Sequence, residues 1–390
     1  MNIAAMKERH TQYIIELRRY FHQHPELSLE EFETTAFIAK ELDKLNISYE
    51  KSHPTGLIGK IVGLKPGKTV ALRSDIDALK ITQKNNVTYQ SRNVGKMHAC
   101  GHDAHMAMLL GAAKILMDNI EVVEGTIYLI FQPAEEIGQG AKIMINTGDW
   151  YKKTDSIFGL HIWSGLETGK VSLESGERMA AADRFIVNIK GKSGHGSMPH
   201  QTVDAVVVAS ATVMNLQTIV SREYAPLDPL VISVGSIHSG DAFNVISGEA
   251  TLDGTVRYFK KAIGDNIIDS ISKVIKSTAS LYGASSELEY FKYIPPLYND
   301  EGASLIARHA AIKVLGEENI VTMEKTTGGE DFAYYLEHKP GCFAFLGSKN
   351  TKKKTDAAHH NDHFDIDEDV LINGSLLHAT YALNFLHMDQ

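Results

Sequence analysis

Between Met97 and His105 the chain reads Met-His-Ala-Cys-Gly-His-Asp-Ala-His, placing one thiol, three imidazoles and one carboxylate within nine residues. Cys100 and His102 lie two apart, so in an extended or tightly turned backbone both side chains can face the same way. Thiolate and imidazole together suit a borderline-soft divalent ion such as Zn²⁺, Mn²⁺, Co²⁺ or Ni²⁺. The apolar run Met106 to Met117 follows at once and predicts a helix whose N-terminus favours a thiolate. A lone Cys-x-His pair would be compatible with a buried cysteine beside incidental histidines. Three hydrophilic ligand types crowded against an apolar run point instead to half of a metal site.

The elements that must position this cluster supply the other half. Lys68 to Arg73 reads as a short strand running into Ser-Asp-Ile-Asp (74–77), and Thr126 to Phe131 as a strand running into Pro133-Ala134-Glu135-Glu136. A third strand, Ser156 to Leu160, ends at His161. Helices are expected over 3–22, 28–46, 103–118 and 140–147, with Ser28 and Glu31 as a capping box for the second. Strand alternating with helix predicts a mainly parallel α/β sheet, and polar residues at the carboxyl ends of its strands mark the usual place for a site. A histidine-rich loop, His359 to His363, returns near the end of the chain. The candidate ligands are then Cys100, His102, one of Glu135 and Glu136, His161 and one histidine of 359–363. That set is too large for one tetrahedral ion and suits two ions sharing a ligand. Of two adjacent carboxylates, one can hold an ion while the other serves as a base.

Between these halves the rhythm changes. Residues 183–190, 203–221, 230–237, 249–259, 261–282 and 286–293 read as β-α-β-β-α-β, a ferredoxin-like split motif closed by Pro295-Pro296. The expected organisation is a discontinuous catalytic domain, 1–182 with 296–390, carrying an inserted domain over 183–295. Helix 301–315, strand 342–346 and helix 368–387 complete the first domain.

At 390 residues the chain exceeds a typical single core, and 43% hydrophobic with 22% charged residues is ordinary globular composition. A net charge of -9 argues against a nucleic-acid partner. Lys352-Lys353-Lys354 reads as a solvated loop. Two cysteines make no disulfide framework, and a cysteine ligand suits a reducing cytoplasm, the expected location. No stretch reads as a membrane span, and the first residues lack the apolar core of a signal peptide.

Several spaced motifs together resemble the M20 metallopeptidase family, and within it the amidohydrolase branch of N-acyl-amino-acid, hippurate and auxin-conjugate hydrolases. They are Phe21 to Leu27, Arg73 to Leu79, Met97 to His105, Gln132 to Glu136, Gly159 to His161, Gly194-His195 with Pro199-His200, Gly328 to Phe332 and His360 to Phe364. The resemblance implies that Cys100, His102, Glu136, His161 and His360 ligate two divalent ions, Mn²⁺ or Zn²⁺ with Co²⁺ or Ni²⁺ as options, Cys100 bridging. It implies Glu135 as the general base that activates water and later protonates the leaving amine. Asp77, and more weakly Asp103, would orient a ligand histidine. His195 would stabilise the oxyanion, often from a neighbouring subunit, and Asn244 and Arg257 would contact the substrate. The inserted domain would act as a lid and join the chain into a homodimer or tetramer. Without the resemblance, Arg257 would read as a surface residue and His195 as a loop histidine. Lys80 and Asp362 stand where the family pattern has proline, and Asp362 brings negative charge near the ligands.

The expected activity is cleavage of an N-acyl-L-amino acid by metal-activated water. A dipeptidase or carboxypeptidase of the same chemistry is the alternative. A cysteine hydrolase using Cys100 and His102, or a non-catalytic metal-binding protein, stands further off.

Overall fold

The computed structural model describes residues 1–388. The described chain falls into two compact units: residues 1–176, 298–324 and 331 onwards form the first, and residues 177–297 with 325–330 the second.

The first unit is built on a seven-stranded mixed sheet, mainly parallel through its centre. Its order is β1 (Ser48–Lys51), β2 (Leu57–Val62), β4 (Glu124–Gln132), β3 (Lys65–Asp75), β5 (Ser156–Glu167), Gly341–Lys349 and Val171–Ser172. The pairs β3 with β4, β3 with β5 and β5 with Gly341–Lys349 run parallel. The outer pairs are antiparallel. Sequence reading misses β1 and β2 for a physical reason. β1 is exposed along most of its length, and Gly59-Lys60 interrupts the apolar run of β2, so neither shows a clean period.

Helix α3 (His102–Met117) buries 14 of its 16 residues. A helix apolar all round belongs in a core. Here it packs against α1 (Ile3–Gln23), the helix Leu371–His387 and β3. Its start is set by Gly101, whose φ of +92° lets the chain reverse between Cys100 and His102.

Helix α2 spans Phe32–Lys44, four residues later in starting than expected, and the capping box is not formed. Glu31 occupies the cap position without a side-chain cap bond. The carboxylate of Glu26 instead accepts the N–H groups of Glu33 and Thr34 at 3.2 and 2.7 Å. Ser28 and Glu31 are engaged elsewhere, as described below.

The second unit runs strand Ala182–Lys190, helix Ala205–Thr218, strands Leu230–His238 and Glu249–Tyr258, helix Lys261–Leu281 and strand Ser285–Ile294. The four strands form one antiparallel sheet in which Ala182–Lys190 lies between Glu249–Tyr258 and Ser285–Ile294, with Leu230–His238 outermost. Val208, Ala209, Leu216, Ile267, Ile271 and Ile275 from the two helices join Phe185, Val187, Leu252 and Val256 in its core. One correction concerns membrane-span length: Ala205–Glu223 is 19 residues with mean hydropathy 1.2, enough by length and composition. Its inward residues, among them Val208, Ala209 and Leu216, are part of this core, while Val206, Val207 and Met214 are exposed.

Candidate metal centre

The start of α3, the end of β4, the middle of β5 and a late loop of the first unit bring the candidate ligands together. Cys100 and His102 flank the Gly101 turn at the start of α3. Glu135 and Glu136 follow β4, whose last residues pair with those of β3. His161 lies within β5, which continues to Glu167 rather than stopping at Leu160, and it pairs with Phe345. His360 comes from the late loop, in a left-handed conformation (φ +63°) with its N–H bonded to the Ala99 carbonyl at 2.8 Å.

Three donor triads of these residues result: His102 with Glu135 and Glu136, and two that share a thiol. Cys100, His102 and His161 offer ligand atoms all within 4.8 Å of one another, and so do Cys100, Glu136 and His360. Cys100 Sγ is 3.5 Å from His161 Nε2, Glu136 Oε2 is 3.5 Å from His360 Nε2, and Glu136 Oε1 is 3.8 Å from His102 Nε2. His102 Nε2 and Glu136 Oε1 are buried without a hydrogen-bond partner. Buried polar atoms in that state are rare and costly, and a cation between them would satisfy both. The soft thiolate, the imidazoles and the carboxylate fit borderline-soft divalent ions. Glu135 is buried beside this set, its Oε2 4.0 Å from His102 Nε2.

Surrounding groups fix the candidate ligands. The Asp77 carbonyl and Oδ1 lie 2.9 and 3.2 Å from His102 Nδ1, which directs Nε2 toward the cluster. Asp77 Oδ2 accepts the Glu136 N–H at 3.0 Å and the Ser28 hydroxyl at 2.7 Å. Asp103, adjacent to His102 in sequence, turns its carboxylate to Arg18 and His22, at 2.9 and 2.7 Å, and not to a ligand imidazole. His105 has both nitrogens engaged: Nδ1 faces Asp75 at 2.6 Å, and Nε2 accepts the Ile162 N–H at 2.9 Å. An imidazole so used has no lone pair left for an ion. His359 Nε2 accepts the Ser164 N–H at 3.2 Å.

Asp75, Arg73, Gln132 and Asp331, which lie in the motifs quoted above but were given no role there, form a buried network behind His105. The signal was present as two charged residues in the β3 motif, but only the tertiary structure supplies their partners. The Asp362 carboxylate is met by Lys84 Nζ at 2.5 Å and His363 Nδ1 at 2.6 Å. Its charge is thus partnered locally.

The electrostatics follow from burial. Desolvation and the neighbouring Glu136 push the Cys100 thiol well above its usual range. Burial pushes Glu136 up to about 7. For His161, burial and then His105 disfavour the charged ring. Burial thus disfavours the charged forms of Cys100, Glu136 and His161, whereas at His102 the nearby Asp75, Asp77 and Cys100 outweigh burial and favour the charged ring.

In the second unit His195 is exposed, its Nδ1 accepting the Ser197 N–H at 3.1 Å. Asn244 is close by, since the Gly196 N–H bonds its carbonyl at 2.8 Å and His195 pairs with Val245. Arg257 lies on the face of its strand opposite the helix-packed core. There it lines a cavity of about 420 Å³ with Asp183, Arg184, Asp253, Thr255 and Tyr293.

The model of peptidase family M20/M25/M40 matches residues 71–384. The chain is 42% identical over 378 residues to an N-acetyl-L-cysteine deacetylase of Bacillus subtilis, covering 96% of this chain and 88% of that one. It is 40% identical over 380 residues to thermostable carboxypeptidase 2 of Saccharolobus solfataricus, covering 96% and 95%. Among solved structures, a dinuclear metal-binding peptidase of the same family from Bacillus subtilis superposes with a TM-score of 0.87 at 34% identity, covering 98% of this chain and 100% of that one. The chain therefore belongs to peptidase family M20/M25/M40 and is a metal-dependent hydrolase of amide bonds.

Proposed function

We propose that this protein removes the acyl group from N-acyl-L-amino acids with two divalent ions, Mn²⁺ or Zn²⁺, held by Cys100, His102, Glu136, His161 and His360. The observation that supports this most is the pair of donor triads meeting at Cys100. Bound there, divalent ions would polarise the scissile carbonyl and acidify a water. Glu135, buried and next in sequence to a ligand, takes the proton of that water and delivers it to the leaving amine. Asp77 holds the His102 ring and the Glu136 backbone in register.

In this reading His195 stabilises the oxyanion, and Asn244 and Arg257 contact the substrate. Arg257 suits a carboxylate, because a planar guanidinium binds it bidentately. Residues 183–295 then form a ferredoxin-like lid inserted between 1–182 and 296–390, through which copies of the chain assemble as a homodimer or tetramer. A cytoplasmic location, suggested by the thiolate ligand, belongs to the same proposal.

A peptidase reading is favoured by the 40% identity to a carboxypeptidase. A cysteine hydrolase is disfavoured: a nucleophilic thiol needs a lowered pKa, and burial with Glu136 raises that of Cys100. The test is turnover of N-acetyl-, N-benzoyl- and indoleacetyl-amino acids beside free dipeptides and N-blocked dipeptides. Each is assayed with chelated enzyme and after adding Mn²⁺ or Zn²⁺. Ion-restored cleavage of the N-acyl-amino acids supports deacylation. Cleavage of the peptides alone moves the activity to peptidases, and indifference to chelation removes the two-ion mechanism.

A further inference from the structure

We infer that Glu31 is a positioning residue for Glu135, gripping the backbone that aims the base; this rests on the role proposed for Glu135. Glu31 stands at the cap position of α2, yet the helix does not use its side chain, because Glu26 accepts the first-turn amides. The Glu31 carboxylate points inward and is fully buried. One oxygen accepts the Ala134 N–H at 2.9 Å, and the other accepts the Thr55 hydroxyl at 2.5 Å.

Ala134 is the residue before the base, and it adopts φ +53° without being glycine. Such a conformation is sparsely populated and persists only when its surroundings hold it. On the carbonyl side, Ala134 accepts the N–H groups of Gln139 and Gly140 at 3.2 and 3.1 Å, and Glu135 accepts that of Gly138 at 2.7 Å. On the amide side the grip is Glu31. Gly140 closes the turn so tightly that a Cβ there would stand 1.6 Å from the Pro133 carbonyl oxygen. The turn is thus clamped at both ends, and the direction in which Glu135 leaves the backbone is set between the clamps.

A fully buried carboxyl is an unfavourable choice for packing alone. Burial pushes Glu31 up to about 7, and an apolar residue of similar size would cost the fold less. What the apolar residue lacks is an acceptor for the Ala134 N–H.

The experiment compares Glu31→Leu, Glu31→Gln and Glu135→Gln, singly and as the Leu/Gln double variant. The substrate is whichever N-acetyl-, N-benzoyl- or indoleacetyl-amino acid the native enzyme turns over fastest. In Glu31→Leu, kcat should fall about 10- to 100-fold with KM within about twofold, the scale of a base displaced by an ångström or less. Bound metal, by elemental analysis, should be unchanged, and amide exchange at Ala134 should accelerate in the metal-free protein. Glu31→Gln keeps the acceptor oxygen, and the Thr55 hydroxyl can turn to accept, so kcat should recover to within about threefold of native. The double variant should be no slower than Glu135→Gln alone, because Glu31 acts through Glu135.

Native kcat in Glu31→Leu, equal losses in the Leu and Gln variants, additive losses in the double variant, or loss of metal would each overturn the inference. If the Leu variant does not fold, Glu31→Asp, one methylene short of Ala134, takes its place with the same readouts. Full activity in Glu135→Gln would remove the base assignment itself. A slow Glu135→Gln beside a fully active Glu31→Leu removes only the role of Glu31.

Discussion

The guanidinium of Arg18 and the carboxylate of Asp103, both wholly buried, meet at 2.9 Å between the first and third helices. The same guanidinium reaches Asp365 at 2.7 Å and Glu368 at 3.3 Å. Asp103 follows His102, and Asp365 lies five residues beyond His360. One cation therefore ties together two segments, far apart in the chain, that carry candidate ligands. Burial alone would raise the Asp103 carboxyl, but Arg18 and His22 outweigh it and hold it far below the usual carboxylate range.

Arg18→Met should destabilise the protein by about 3–5 kcal/mol, the usual consequence of leaving buried charges without their partner. Urea unfolding of the metal-free protein measures it directly. A loss below about 1 kcal/mol would mean that the acids find solvent or another cation.

Glu135→Gln should lower kcat by roughly two to four orders of magnitude, the range expected for loss of a general base. Bound metal and the thermal midpoint should stay at native values. Near-native turnover would assign the proton transfer to another group.

Metal uptake should release protons. The Cys100 thiol is raised by burial and Glu136, so in the metal-free protein it is protonated at neutral pH, whereas a bound ion needs the thiolate. Apparent affinity should therefore rise with pH. Calorimetric titration with Zn²⁺ in two buffers of different ionisation enthalpy reads the proton count. Heats that do not depend on the buffer would contradict a thiolate ligand. Cys100→Ser should retain metal less well.

Glu31 should impose a stability penalty that grows with pH. Its folded value of about 7 lies above its ordinary 4.5, so the folded state binds the proton more tightly. Below the unfolded value both states are protonated and no penalty exists. Between about 4.5 and 7 the penalty develops, reaching about 3 kcal/mol above that window. Glu31→Gln should thus unfold at the same temperature as native metal-free protein near pH 4 and at a higher one at pH 8. A difference independent of pH would place the Glu31 carboxyl in a more polar setting than its burial indicates.

The candidate donors were legible in the sequence because the chemistry resides in residue type. A thiol, imidazoles and paired carboxylates at strand ends have few other uses in such density. The helix after Cys100 was legible because its residues are apolar on every face. The edge strands β1 and β2 were not, since an exposed or interrupted strand leaves no period to read. Ser28 and Glu31 misled for a related reason. Their spacing matches a helix cap, but local spacing carries no information about Asp77, Thr55 or Ala134, which compete for the same side chains.

By itself, then, the sequence determined which donor atoms are available as candidate ligands and base, and the strand-helix alternation of the domain that carries them. Only the tertiary structure decided how they are shared. It groups the donors into three triads, two of them meeting at Cys100, and it withdraws His105 by engaging both its nitrogens. It also turns Asp103 toward Arg18 and commits Glu31 to Ala134. Each of those outcomes depends on partners distant in sequence, and the competition for a buried hydrogen bond is settled only when those partners are folded against one another.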